Sequence, residues 1–135
     1  PSGVVAFASG SGAGSGVIST TTAFIGPTVN VTVATGQRVH LVVEQSLGSN
    51  VAGGGTALNL YPCFQSTVVG SSITTQGGGM FALTVPQGQR QLFGINAVFT
   101  GFRTGTWRVG MCGSSANAAS WNNNEWGYIT ALVFQ

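Results

Sequence analysis

The chain of 135 residues has no lysine and no aspartate, and its charges are confined to Arg38, Arg90, Arg103, Arg108, Glu44 and Glu125. Soluble domains usually carry about a quarter charged residues, against 4% here, so the surface must be built from Ser, Thr, Asn, Gln and Gly. A surface with so little charge offers weak repulsion between copies and suits a chain that assembles. Four scattered arginines against two glutamates make no phosphate-binding footprint, which argues against nucleic acid as a partner. No apolar run reaches the ~20 residues of a membrane-spanning helix, so no membrane insertion is expected. Starting at Pro1-Ser2-Gly3, the chain reads as a mature protein or an excised domain.

The same scarcity bears on catalysis. A paired-carboxylate mechanism would have to use Glu44 and Glu125, the only two acids. A Ser–His–acid triad would have to use His40, which lies mid-strand in RVHLVVEQ. SGSGAGSG (Ser9–Gly16) lacks the lysine and the following helix of a phosphate loop. No catalytic residues, cofactor or metal are therefore expected, and the chain reads as a non-enzyme. One His, two Cys and no Asp supply no ligand cluster, and the missing Asp argues against a calcium site. Cys63 and Cys112 stand 49 residues apart on separate predicted strands, as a disulfide or as two buried thiols.

What is present is short β-branched runs between glycine-rich turns, with no helical apolar period. The strands are Val4–Ala8, Val17–Ile25, Thr28–Val33, Arg38–Gln45, Ala57–Gln65, Met80–Val85, Gln91–Phe99, Thr106–Cys112 and Trp126–Gln135. Pro62 removes a ladder donor and predicts an edge or a bulge for its strand. Eight to ten strands with irregular loops indicate one all-β domain over residues 1–135, a jelly-roll sandwich of two antiparallel sheets. Ser9–Gly16 is expected to be a flexible Gly/Ser-rich segment.

The last strand, WGYITALVFQ, is apolar on both faces: Trp126, Tyr128, Thr130, Leu132 and Phe134 on one, Gly127, Ile129, Ala131 and Val133 on the other. Either a loop or a neighbouring subunit must cover its outer side. A chain this poor in charge favours the neighbouring subunit and an obligate oligomer.

This closing strand, with GTWRVGMCGSS before it, resembles the tumour-necrosis-factor-like superfamily, which includes the globular heads of complement's first component. The layout is most similar to bacterial trimeric fucose-binding lectin domains of that fold, through CFQS (Cys63–Ser66), the Thr/Ser-rich loop after it and the Trp-led penultimate strand. The resemblance implies a homotrimer whose sugar sits between protomers on Tyr, Ser/Thr and Arg side chains, here Tyr61, Thr74, Thr75 and Arg108. Met111 and Cys112 stand where those lectins place a further Arg, and Glu125 approximates their acidic loop residue.

From the residues themselves, Ser120–Tyr128 (SWNNNEWGY) packs Trp121, Asn122, Asn123, Asn124 and Glu125 into one stretch. A pyranose needs an apolar plate bordered by amides, carboxylates or Arg that hydrogen-bond pairs of hydroxyls, which makes Trp121, Asn123 and Glu125 candidate ligand residues. The expected function is thus a secreted or cell- or virion-surface lectin-type domain binding glycans, fucosylated ones among them. The alternative is a structural trimerisation or adhesive head of a collagen-like, surface or phage-fibre protein.

Overall fold

The computed structural model describes residues 3–13 and 18–135, and over them the chain is an all-β sandwich of two antiparallel sheets. The nine strands are β1 (Val4–Gly12), β2 (Ala23–Val33), β3 (Arg38–Ser49), β4 (Gly55–Ser66), β5 (Thr74–Thr75), β6 (Met80–Val85), β7 (Gln89–Phe99), β8 (Gly105–Ser115) and β9 (Gly127–Phe134). One sheet has the order β1-β9-β3-β7; the other has β2-β8-β4-β5, with β6 also on β4. Apart from the run β4-β5-β6, each connection carries the chain from one sheet to the other.

The alternation read in the sequence decides which side chains face inward. Val39, Leu41 and Val43 from β3 and Ile129, Ala131 and Val133 from β9 are buried, and they meet Val31, Val33, Leu58, Leu60, Val109 and Met111 of the second sheet. Every one of these runs has period two, so a one-residue slip would turn its whole apolar set outward. At one end of the core Phe64, Phe99, Phe102 and Trp107 form an edge-to-face aromatic cluster with centroids 4.8 to 6.3 Å apart.

Four expectations need correction or narrowing. Ser9–Gly12 falls within a strand, continuing β1 and pairing with Gly127–Thr130 of β9, while residues 14–17 lie outside the described ones. The runs before and after Gly26-Pro27 are one strand, β2, with an irregular register between Ile25 and Val29. The gap between the strands expected at Arg38–Gln45 and Ala57–Gln65 shrinks to residues 50–54, because β3 runs on to Ser49 and β4 starts at Gly55. Of the two places expected for Pro62, an edge or a bulge, the edge is excluded, since β4 lies between β8 and β5/β6, and the pairing on its β5/β6 side is irregular. Its missing donor falls in the gap where pairing with β6 ends at Leu60 and pairing with β5 begins at Cys63.

Cys63 and Cys112 form a disulfide across β4 and β8, with Cα atoms 5.8 Å apart. Tyr61 opposes Cys112 and Cys63 opposes Gly110, so the two cysteines are diagonal neighbours on one face. Phe24, Tyr61 and Ile73 pack around the bridge.

The outer side of the first sheet is not covered by any described loop. Its cross-strand rows are Phe7–Leu132–His40–Val98, Ser9–Thr130–Val42–Asn96 and Ser11–Tyr128–Glu44–Gly94. Phe7 is 72% exposed and Tyr128 59%, with Val42, Leu92, Val98 and Trp126 exposed beside them. Ser9, Ser11, Thr130, Asn96 and Glu44 stand among these side chains, so the face is mixed, with large exposed apolar groups between polar ones.

Candidate ligand-binding groove

At one end of the sandwich the β3–β4 connection (50–54) faces the long β8–β9 connection (116–126). The latter is polar in sequence, and the structure shows why it is ordered. Ser115 Oγ donates to the Thr56 carbonyl at 2.8 Å and accepts from the Asn117 backbone N–H at 3.0 Å. Asn117 Nδ2 donates to Thr56 Oγ1 at 2.7 Å, and Ser120 Oγ closes the short 3-10 turn Ala118–Ser120 on the Asn117 carbonyl. Trp121 then turns into the core at 3% exposure, its Nε1 donating to the Thr56 carbonyl at 2.9 Å and its ring edge-on to Phe93.

The three asparagines that follow extend the ladder of β3 beyond the sheet. Asn123 and Glu125 donate their backbone N–H groups to Gly48 and Ser46. Asn124 Oδ1 accepts from the Gly48 N–H at 3.1 Å, and Asn122 Oδ1 from the Asn50 N–H at 2.8 Å. Side-chain amides thus take over where backbone pairing stops. Arg90, at the start of β7, clamps the segment: Nε donates to the Asn123 carbonyl at 3.0 Å, and Nη2 to Asn123 Oδ1 at 2.7 Å and to Glu125 Oε1 at 3.0 Å. Beneath it, buried Gln45 donates Nε2 to the Glu125 carbonyl, between Gly26 and Gly127, where any Cβ would overlap its side chain. Gln45 Oε1 has no hydrogen-bond partner among the described residues.

These connections enclose an open groove of about 750 Å³ between Val51–Gly54 and Ala116–Ser120, edged by Thr20, Thr56 and Asn117. A second concavity of about 430 Å³ shares Ala118 and Ala119 with it and reaches Ile18, Trp121, Asn122, Asn124 and Glu125. Alanine and glycine make an apolar floor; amides, hydroxyls and one carboxylate make the rim. Gly54 is fixed there by its φ of +75° and by the Val85 carbonyl, which leaves no room for a Cβ.

The residues singled out from the sequence separate into two places. Trp121 and Glu125 line the second concavity, and Asn123, held by Arg90, lies in the same connection but lines neither. Tyr61, Thr74, Thr75 and Arg108 belong to the second sheet, with Tyr61 and Arg108 on its outer face. Trp121 cannot be an exposed plate, because packing against Phe93 and the bond to Thr56 hold its ring inside. Arg108 is held over the Phe24 ring at 4.3 Å and donates Nε to Thr28 Oγ1 at 3.0 Å. Tyr61 is half-buried, edge-on to Phe81 at 5.7 Å. Thr74 and Thr75 are exposed on β5, where Thr75 pairs with Cys63.

Arg90, Thr56 and Asn117 were not singled out by sequence reasoning, since each acts through partners more than 30 residues away. Outside the groove, His40 Nε2 lies 2.6 Å from Asn96 Oδ1 on the outer face of the first sheet. Among the described residues no three His, Cys, Asp or Glu side chains come together as metal ligands. No protein-family model, no curated protein and no solved structure matches this chain.

Proposed function

We propose that the chain is a homotrimeric jelly-roll lectin, acting outside the cell or on a virion surface, that binds neutral glycans without bond chemistry. The observation that carries the recognition half is the loop-end groove, whose rim of amide, hydroxyl and carboxylate groups around an apolar floor suits vicinal sugar hydroxyls and ring C–H groups. The orders β1-β9-β3-β7 and β2-β8-β4-β6, with the chain crossing between sheets at nearly every connection, support the jelly-roll winding. The Cys63–Cys112 bridge supports an oxidising compartment.

Assembly is supported by the bare outer face of the first sheet. Four strands ~4.8 Å apart and about eight residues long at ~3.3 Å each give a face of roughly 500 Å² in projection. Trimer symmetry then repeats a weak sugar site three times, and avidity makes up for shallow contacts. A glycan array probed with the intact protein tests the recognition half. Selective binding that falls at least tenfold in Asn117→Ala or Ala119→Leu supports it, and no binding to any glycan removes it.

A second reading has its own observation. The amides of Asn122 and Asn123 are engaged with the chain's own backbone and Arg90, and Trp121 is buried, as a purely structural loop would have them. On that reading the domain is a trimerisation or adhesive head, and the array stays blank while the trimer persists.

A further inference from the structure

The edges of the two sheets are β1, β7, β2 and the pair β5/β6, and all but β7 are interrupted. β1 carries an extra residue between Val4 and Ala6, and β2 breaks register between Ile25 and Val29, around Pro27. β5 has two residues, and β6 pairs irregularly with β4 and holds Ala82 at a φ of +56°. Bulges, prolines and short strands of this kind keep sheet edges from pairing with other chains. β7 has none of them: its register with β3 is unbroken from Val39–Phe99 to Ser49–Gln89. The bonds of β3 show which backbone groups of β7 are open. Ser46 bonds on the β9 side, donating to the Trp126 carbonyl and accepting from the Glu125 N–H, whereas Ser49 accepts from Gly88 on the β7 side. Odd-numbered residues of β3 therefore bond to the odd-numbered residues opposite them on β7. Arg90, Leu92, Gly94, Asn96 and Val98 then turn their N–H and C=O groups outward. No other strand pairs with this side, and no turn or loop backbone of the described residues bonds to it.

Beside the middle of this edge, where the two sheets part, lies a cavity of about 250 Å³ lined by Leu60, Pro62, Gly79 and Met80 on one side and by Gly94–Ala97 of β7 on the other. That is below the ~300 Å³ at which small-molecule pockets begin, and it suits a buried side chain or two. We infer that β7 is a docking edge for an extended, uncharged peptide of a partner protein, which adds to the first sheet as a further strand and places an apolar side chain in this cavity. Main-chain pairing supplies the attachment and the cavity the side-chain preference. Gly94, at the centre of the open row, has no side chain to shield its backbone. The charges fit a neutral strand, because Arg90, the only ionisable side chain on β7, is already committed to Asn123 and Glu125. A second copy of the chain fits less well. If its own β7 paired here, its inward residues would include Phe93 and Phe99, which are buried in their own core and cannot leave it to fill the cavity. Neither sugar binding nor a trimer is needed for this docking.

The test uses the full chain and a panel of fluorescent, end-capped heptapeptides in which threonine alternates with alanine, valine, leucine, methionine or phenylalanine, read by anisotropy. The expected result is saturable binding of at least one member. N-methylation of alternate residues keeps the side chains and removes half the donors, so one of the two alternate forms should bind at least about tenfold more weakly. Gly94→Pro, which removes an outward N–H and leaves the β3 ladder, and Ala97→Leu, which fills the cavity, should each weaken binding at least about tenfold with an unchanged far-UV circular dichroism spectrum. In the wild type, amide exchange at Arg90, Leu92, Gly94, Asn96 and Val98 should slow at least about tenfold under saturating peptide, a readout that needs neither variant to fold. No binding by any peptide at ~1 mM overturns the inference, as do unprotected amides at those positions beneath a bound peptide. Binding that survives both variants and both N-methylated forms overturns it too, since contact without strand pairing would explain it. A peptide-free mass of two chains that Gly94→Pro returns to one assigns the edge to a second copy and overturns the peptide.

Discussion

Replacing Trp121 by Phe separates a core role from a contact role. The indole Nε1 hydrogen bond to the Thr56 carbonyl is lost, but that oxygen keeps the Ser115 hydroxyl at 2.8 Å and is not orphaned. The loss is thus about 1 kcal/mol, a typical net value for a hydrogen bond with no group left unsatisfied. The phenyl ring is roughly 40 Å³ smaller, and at ~24 cal/mol per Å³ the residual cavity beside Phe93 costs about 1 kcal/mol more. The sum of about 2 kcal/mol corresponds to a fall in Tm of about 8 °C for a domain of this size. Thermal and guanidinium unfolding followed by far-UV circular dichroism, at one fixed protomer concentration because Tm depends on assembly, measures it. A destabilisation below about 0.5 kcal/mol together with loss of glycan binding would refute the assignment of Trp121 to the core.

Two further perturbations address the covalent and polar ties. The disulfide closes a separation of 49 residues, so Cys63→Ala/Cys112→Ala should lose about 4 kcal/mol in guanidinium unfolding, and a loss under about 1 kcal/mol would contradict that. Arg90→Ala removes an ion pair whose side chains are 40% and 55% exposed, so global stability should fall by less than about 1 kcal/mol. Amide hydrogen exchange at Asn123 and Glu125 should nevertheless rise at least tenfold as the clamp on their segment is released, and unchanged exchange would show that Arg90 does not hold it.

The sandwich was legible wherever apolar and polar residues alternate. Thr28–Val33 and Met80–Val85 fall within β2 and β6, and β3 turns His40, Val42 and Glu44 outward as its alternation requires. Features decided by partners distant in sequence were not legible. Ser9–Gly12 has a linker's composition, yet it is a strand because β9 lies beside it to pair with. Pro62 reads as an edge or bulge signal, and its place in a central strand follows from two short strands that divide the pairing duty on its far side. The disulfide depended on the β4–β8 register, which no spacing reveals. At the groove, the Asn-rich segment was visible as a cluster of hydrogen-bonding groups, but burial of Trp121 by Phe93 and capture of Asn123 by Arg90 are tertiary facts.

The assembly of copies over the outer face of the first sheet is tested most directly by mass. Multi-angle light scattering on the eluting protein at neutral pH and micromolar concentration should give three times the 13.7 kDa chain mass. Tyr128→Arg, on that face between Ser11 and Glu44, should return the mass of one folded chain. A wild-type mass of a single chain, or a Tyr128→Arg variant that remains trimeric, would contradict it.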